Sequence, residues 1–335
     1  MRIGLALPQY DYSVPGEDPL RFSTVVDQAR AAATAGIDSL WLSDHLVLDL
    51  EKYGGPARRY GALEPVSAIA ALATEVPEVR FGTLVLCEAL RPAAVLAKSL
   101  ATLDRVTGGR LDVGLGAGWY EPDYEAVGMA MPSPGVRIDR LREALTVVGG
   151  LLGGGPLTFA GEYHRAIDAR VDPPALQTPR PPLFVGGKGD RVLRAAVDLA
   201  DGWNTCWVWT PEAYRERLGV LERHCEAVGR DPATLWRSVG LYALAGEDDA
   251  DLTRRFERLR ANSPAGVLDG VTLEQWREGR LVGTPEQIGE QLSAWDGLGV
   301  ETVILGVGSV PFHVGHPDDV ALLAEVCGSA AVVRG

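Results

Sequence analysis

Short apolar segments of the kind that form buried strands alternate with longer segments of helical periodicity along almost the whole chain. In the first helical segment, Val25, Val26 and Ala29 recur on one face, and Gly36 stands where such a helix would end. The predicted strands are Arg2–Leu7, Ser39–Leu42, Arg80–Leu86, Leu111–Leu115, Leu183–Val185, Trp203–Thr205, Ser238–Ala243 and Thr302–Leu305. The predicted helices are Leu20–Ala35, Pro65–Thr74, Ala93–Val106, Val136–Leu152, Asp190–Ala200, Pro211–Val228, Asp249–Arg260, Pro285–Leu298 and Pro317–Val326.

The alternation gives eight strand–helix units. Continuous apolar strands need helices on both faces or all round, and eight units favour a closed (β/α)8 TIM-type barrel over an open doubly wound sheet. The length of 335 residues suits a single α/β domain over residues 1–335, with insertions. The Pro-rich segment from about 157 to 180 is predicted to be an inserted hairpin or extended arm. In this fold, catalytic groups lie at the C-terminal ends of the strands and in the loops that follow.

Composition narrows the class of partner. The chain carries 32 Lys and Arg against 45 Asp and Glu, a formal net charge of −13, so it lacks the basic footprint that nucleic-acid binding needs. No apolar run approaches the ~18 residues of a membrane span, and the chain begins with a strand rather than a signal peptide. The four cysteines show no CxxC spacing and predict no disulfide framework. We therefore expect a soluble cytoplasmic protein that acts on or binds a small molecule, without a membrane or nucleic-acid partner.

An adjacent carboxylate and imidazole, Asp44 and His45, directly follow the second predicted strand. Histidine titrates near neutral pH and can act as a general acid or base, while the carboxylate orients it or binds a ligand. A solvated polar loop, with Asp44 capping a turn, is the competing interpretation. Because the pair stands at a strand end, the catalytic and the structural interpretations have about equal weight.

Two glycine-rich segments also fall at strand ends. Gly116, Ala117 and Gly118 end the fourth strand, where small residues would let a flat ligand or phosphate approach the backbone; the alternative is a tight turn. The run Gly186-Gly187-Lys188-Gly189 follows the fifth strand and opens a helix, which predicts an anion site. We expect the amides of Gly187 and Gly189 to face a phosphate, with Lys188 as a nearby point charge. A loop that merely needs positive φ is the alternative.

Aromatic residues and one histidine follow the same strand ends and predict the wall of a substrate pocket, with ordinary loop packing as the alternative. They are Trp119, Tyr120, Trp207, Trp209 and His313. His164 and His224 are expected at the surface. His313 and His316 flank glycine and proline positions that disfavour a helical metal pair, so no metal site is predicted.

These segments occur in an order that resembles the bacterial luciferase-like superfamily, and within it the oxidoreductases that use the deazaflavin coenzyme F420. The matching segments are Trp41–His45, Phe81–Leu86, Ala101–Asp104, Gly109–Trp119, Pro132–Gly135 with Arg137 and Ile138, Val185–Gly187, Ala200–Asn204 and Val282–Glu286. The middle segments, together with an Arg-rich composition typical of actinobacteria, favour deazaflavin over FMN.

The resemblance implies a TIM-type barrel whose arm at 157–180 helps cover the mouth. It also implies a non-prolyl cis peptide at Leu84–Val85 that supports the deazaflavin ring, with Asp44 and His45 beside that ring. The coenzyme phosphate would lie near Gly187, Lys188 and Gly189. Family members are often dimers, which makes a homodimer an expected assembly.

The resemblance also implies a reaction: hydride transfer to or from a small organic substrate, at an electron-poor C=C, C=N or C=O bond. Trp119 stands where sugar-phosphate dehydrogenases of the family carry a catalytic Glu, and Asp49 where they carry a Trp, which argues against a sugar-phosphate substrate. An FMN-dependent monooxygenase, supplied with reduced cofactor by a separate reductase, is the first alternative. A non-catalytic flavin-binding barrel is the second.

Overall fold

Eight parallel strands close into a barrel in the computed structural model, which describes residues 1–332, with side chains up to residue 328. The strands are β1 Arg2–Ala6, β2 Ser39–Leu42, β3 Arg80–Thr83, β4 Leu111–Gly116, β5 Leu183–Gly186, β6 Gly202–Trp207, β7 Trp236–Ala245 and β8 Thr302–Gly306. Each strand pairs with the next, and β8 also pairs with β1, from Arg2 opposite Thr302 to Leu5 opposite Leu305. The prediction of a (β/α)8 TIM-type barrel is confirmed; residues 333–335 of the predicted domain lie outside the described residues.

Helices surround the barrel and bury one face each against it. They are α1 Phe22–Thr34, α2 Pro65–Glu75, α3 Ala93–Val106, α4 Glu121–Ala126, α5 Pro134–Leu152, α6 Asp190–Leu199, α7 Pro211–Val228, α8 Asp249–Asn262, α9 Leu273–Arg277, α10 Pro285–Asp296 and α11 Pro317–Val332. Short 3-10 turns span Glu51–Tyr53, Glu88–Leu90 and Pro232–Thr234. Short strands span Val47–Leu48, Tyr60–Gly61, Leu86–Cys87, Leu157–Ala160, Arg165–Ala169 and Leu281–Gly283. Since both faces of the barrel strands are covered, most of their side chains are fully buried.

The helix α4 corrects one expectation. The predicted helices include none between the fourth strand and Val136, yet α4 begins at Glu121, directly after Tyr120. Its first turn holds Pro122 and two acidic residues, which are favourable at a helix N-terminus. This turn places Asp123 on the same rim as the end of β2.

The third strand is interrupted at the barrel rim. Regular pairing of β3 ends at Thr83, the Leu84–Val85 peptide is cis, and Leu86–Cys87 then pairs with the end of β4. The cis peptide implied by the family resemblance is therefore confirmed, and the predicted continuous strand to Leu86 is two separate pieces. A second non-prolyl cis peptide joins Cys206 to Trp207 at the end of β6.

The inserted arm packs on the outside of the barrel. Its hairpin, Leu157–Ala160 with Arg165–Ala169, ends in a tip whose backbone amides at residues 162, 163 and 164 all donate to the carboxylate of Glu143 on α5, each at 2.8 Å. Further on, the amides of Leu176 and Gln177 donate to Asp104 on α3.

These bonds hold the arm against α3 and α5. No residue between 157 and 180 lines the cavity described below. That the arm helps cover the mouth stays a prediction. The tip also places His164 within 3.4 Å of the buried Glu88, so His164 is not the surface residue that was expected. His224 is partly exposed and bonds Asp198.

Inside the barrel, large aromatic side chains fit because glycines lie opposite them. Trp41 stacks with Trp236 at a centroid distance of 6.2 Å, and Phe184 meets both rings edge-on. A Cβ atom built on Gly82 would overlap the Trp41 ring. These rings fill the interior of the barrel, and the cavity described below lies at its rim.

Candidate active site

A cavity of about 400 Å³, here called the barrel cavity, opens at the C-terminal ends of the strands. Thirteen of the predicted site residues line it: Asp44, His45, Leu84, Val85, Gly116, Ala117, Gly118, Trp119, Tyr120, Gly186, Gly187, Lys188 and Trp207. Further lining residues that sequence reasoning did not name include Tyr10, Lys52, Tyr53, Asp123, Cys206 and Phe312. The structure thus brings together segments that are up to 302 positions apart in the sequence, from Tyr10 to Phe312.

His45 is held by a carboxylate from α4, the helix that follows β4. Its Nδ1 lies 2.6 Å from Asp123 Oδ2, and Asp123 Oδ1 accepts the backbone N–H of Leu46 at 2.9 Å. Both side chains are largely buried. Because Asp123 occupies Nδ1, Nε2 is the ring nitrogen that remains for a molecule in the barrel cavity, and the pair can move a proton at that atom.

Asp44 does not orient His45, contrary to one of the two roles expected for it. Its carboxylate instead forms two bonds with the guanidinium of Arg91, at 2.6 and 3.1 Å, and accepts the amide of Cys87 at 2.9 Å. Buried carboxylates of this kind need such a partner, since an unpaired charge away from water is costly. Asp44 therefore lines the barrel cavity as the acidic partner of an ion pair with Arg91.

The backbone around the interrupted third strand makes an apolar wall. Val85 lies between glycines of the two neighbouring strands, and a Cβ atom would come within 2.6 Å of Val85 at Gly116 and 2.8 Å at Gly186. Because neither glycine has a side chain, Val85 packs directly against both strand ends and forms a continuous surface with them. The sequence correctly placed small residues at this wall.

The predicted anion loop is arranged differently from expectation. The amide of Gly187 donates to the carbonyl of Asn204 at 3.0 Å, so it does not point to a phosphate. Gly189 is the N-cap residue of α6 and does not line the barrel cavity. Lys188 does line it and is the cationic group of this loop that a phosphate can reach.

Two of the five predicted pocket residues lie elsewhere. The ring of Trp209 packs edge-on against Tyr214 of α7, on the helix side of the barrel. His313 is buried beneath the rim, where its Nδ1 accepts the amide of Ser309 at 3.2 Å and burial lowers its pKa to about 4. Neither side chain lines the barrel cavity, because the chain turns away after Trp207 and after Phe312.

Two cysteines line the barrel cavity. Cys206 at the end of β6 is surrounded by protein but open to the cavity, and burial raises its pKa to about 12, against a smaller opposing effect of Lys52. Burial also raises the pKa of Cys87 to about 12. Both thiols are protonated near neutral pH, so neither is an activated nucleophile.

Within residues 1–332, no cluster of three or more His, Cys, Asp or Glu side chains is arranged to hold a metal ion. In the same range, no helix combines the length and the apolar character that a membrane span needs.

The family model described as luciferase-like monooxygenase matches residues 1–302. The chain belongs to this family. Among curated relatives, it is 30% identical over 240 residues to an F420-dependent hydroxymycolic acid dehydrogenase of Mycobacterium tuberculosis, which covers 71% of this chain and 63% of that protein. It is 27% identical over 242 residues to an FMNH2-dependent dimethylsulfone monooxygenase of Pseudomonas putida, covering 64% of this chain and 65% of the relative. The chain thus spans somewhat less than two thirds of either relative.

A solved structure of an F420-dependent secondary alcohol dehydrogenase has the same fold. Its TM-score to this chain is 0.77 at 21% sequence identity, and the match covers 100% of this luciferase-like chain and 99% of the other. The relatives of this chain therefore include both F420-dependent dehydrogenases and FMN-dependent monooxygenases.

Proposed function

We propose that this luciferase-like protein is an F420-dependent oxidoreductase that acts on a small organic substrate at an electron-poor C=C, C=N or C=O bond. The observation that carries the proposal is the His45–Asp123 pair, which faces the same cavity as the flat wall around Val85. This arrangement combines a site for a planar ring with a positioned proton donor or acceptor. The similarity to an F420-dependent dehydrogenase supports the choice of coenzyme.

The residues fit a deazaflavin. Val85 and the glycines beside it leave a smooth apolar surface for the ring, and Lys188 supplies positive charge for a phosphate at the next strand end. When bound, the coenzyme would supply or accept the hydride, and the protein would supply orientation and proton transfer. His45 would give a proton to the reduced substrate, or take one from a substrate being oxidised, at Nε2.

A direct test is a titration of the purified protein with F420 and with FMN, followed by fluorescence. We expect F420 to bind at least about tenfold more tightly than FMN. Lys188→Met should weaken the binding of F420, because the phosphate loses its charge partner. The binding of FO, the deazaflavin fragment without the phosphate, should not change. Lys98→Met, at a lysine bonded to the carbonyl of Asp172, is the matched control and should change neither. Tighter binding of FMN than of F420 would overturn the assignment.

An FMN-dependent monooxygenase is the second candidate, favoured by the similarity to the dimethylsulfone monooxygenase. Such an enzyme would need reduced FMN from a separate reductase. In that case, reduced FMN and O2 should convert the substrate to an oxygenated product, whereas the F420 enzyme should form none. The homodimer remains a prediction.

A further inference from the structure

Lys52 lies at the mouth of the barrel cavity with its charge uncompensated. It belongs to the turn Glu51–Tyr53, and its Nζ lies 4.2 Å from the centroid of the Trp119 ring and 5.8 Å from that of Tyr53. No carboxylate among the described residues lies within ion-pair distance of Nζ, although the side chain lines the cavity. The indole ring therefore positions the ammonium group without neutralising it.

The hydroxyl of the neighbouring Tyr53 adds a neutral donor. Tyr53 lines the barrel cavity, and its hydroxyl makes no hydrogen bond to any of the described residues. Burial raises its pKa well above the ordinary value, with smaller contributions from Cys206 and Asp49, so the hydroxyl keeps its proton. Lys52 and Tyr53 thus offer a positive charge and an O–H donor from consecutive positions.

The other charges that line the cavity already have partners. Asp44 is paired with Arg91 and Asp123 with His45. Lys188 is the group assigned above to the coenzyme phosphate. The carboxylate of Asp49, close to Tyr53, is bonded to the Tyr120 hydroxyl and the Glu51 amide and does not line the cavity. Lys52 is the remaining lining cation, in a chain whose net charge is −13.

We propose that Lys52 and Tyr53 bind a carboxylate of the substrate, so that the substrate class is a small unsaturated or carbonyl-containing carboxylic acid. The choice of a single carboxylate follows from one ammonium group and one hydroxyl, which match a monoanion. Trp119 sets the spacing, because its ring lies 4.2 Å from Lys52 Nζ and 5.5 Å from the His45 ring. Lys52 and His45 therefore border the same indole ring, so one small molecule can reach both. That the carbon near His45 reacts rests on the proposed function, whereas the carboxylate subsite does not.

Calorimetric binding of a matched pair of probes tests the subsite. Cinnamate carries a carboxylate next to a C=C bond, and cinnamamide has almost the same shape without the charge. Both are titrated into the wild-type protein with and without F420, and into Lys52→Met, Tyr53→Phe and Lys98→Met. Lys52→Met keeps the apolar stem over Trp119 and removes only the charge.

The wild-type protein should prefer cinnamate over cinnamamide by about tenfold at low salt, and less at high salt because the attraction is screened. Lys52→Met should abolish that preference while cinnamamide binding stays within about twofold, and Tyr53→Phe should reduce it by about threefold. Lys98→Met should behave as wild type. A preference that survives in Lys52→Met, equal loss for both probes, or no cinnamate binding by the wild-type protein would overturn the proposal.

The same titrations separate this inference from the proposed function. Cinnamate binding that depends on Lys52, in a protein that binds neither F420 nor FMN, would reject the proposed function and leave the carboxylate subsite standing. Binding of F420 together with a failed cinnamate test would reject the carboxylate subsite and leave the proposed function standing.

Discussion

At the scale of single residues, the imidazole of His45 depends on a side chain that its own segment does not supply. Asp123 comes from α4, the helix after the fourth strand, and reaches His45 at the end of the second strand. The adjacent Asp44 does not contribute to this pair, because its carboxylate binds Arg91 and the Cys87 amide. Sequence neighbours at a strand end therefore point to different partners.

Asp123→Asn should lower turnover by about 10- to 100-fold while coenzyme affinity stays within a few-fold, because an amide cannot stabilise the protonated imidazole. His45→Ala should lower turnover by about 100-fold or more. If Asp123 acts only through His45, the double variant should be no slower than His45→Ala alone. Steady-state kinetics of the three variants decides this. Multiplicative losses would show that Asp123 has an independent role.

His313 should make the folded state sensitive to acid. The unfolded imidazole takes up a proton near pH 6.5, but burial lowers the folded pKa to about 4, so the folded state binds fewer protons between these values. The free energy of unfolding should therefore fall by about 3 kcal/mol from this residue as the pH drops from 6.5 to 4.

His313→Asn keeps an acceptor for the Ser309 amide and should remove this part of the pH dependence. Urea unfolding at several pH values measures it, with His316→Asn, at a more exposed histidine, as the control. Identical pH dependence for wild type and His313→Asn would contradict the assignment.

At the scale of elements, periodicity located the barrel strands and the main helices because burial dictates both patterns. The end of the third strand at Leu84–Val85 came from the family resemblance alone, since no local pattern marks a cis peptide. The short helix α4 was missed although Pro122 and its acidic neighbours are N-terminal signals. That omission also hid Asp123. Neither Arg91 nor Lys52 could have been assigned from the sequence, because their partners are set by how the loops fold back.

The hairpin of the arm should depend on Glu143. Its carboxylate accepts three tip amides, so Glu143→Ala should speed hydrogen exchange at residues 162–164 by at least about tenfold. Coenzyme affinity should not change, because the arm does not line the barrel cavity. Mass spectrometry of the exchanged peptides gives the rates, with Glu162→Ala as the control at an exposed tip residue. Unaltered exchange in Glu143→Ala would show that other contacts hold the tip.

At the scale of the whole molecule, the closed barrel leaves little room for change in its interior. Gly82→Ala should lower the free energy of unfolding by about 3 kcal/mol or more, because the new methyl group would overlap the Trp41 ring. Gly328→Ala adds the same methyl group on α11, where no described atom outside the helix's own backbone and the adjoining residues lies within 4 Å, and should be neutral or slightly stabilising. Denaturant unfolding compares the two. Equal stability of Gly82→Ala and wild type would mean that the barrel can shift to accept a larger core.

The thiol of Cys206 gives the molecule a natural reporter of occupancy. Cys87 also lines the barrel cavity but is buried, as are Cys225 and Cys327, whereas the Cys206 thiol is exposed there. Its raised pKa leaves little thiolate near neutral pH, so exchange with a neutral aromatic disulfide should be slow, and at a fixed pH its rate should vary with access to the sulfur. Any molecule that fills the cavity should shield the sulfur. A plate of candidate compounds could then be ranked by how far each one protects this thiol, with no catalytic assay and no added label.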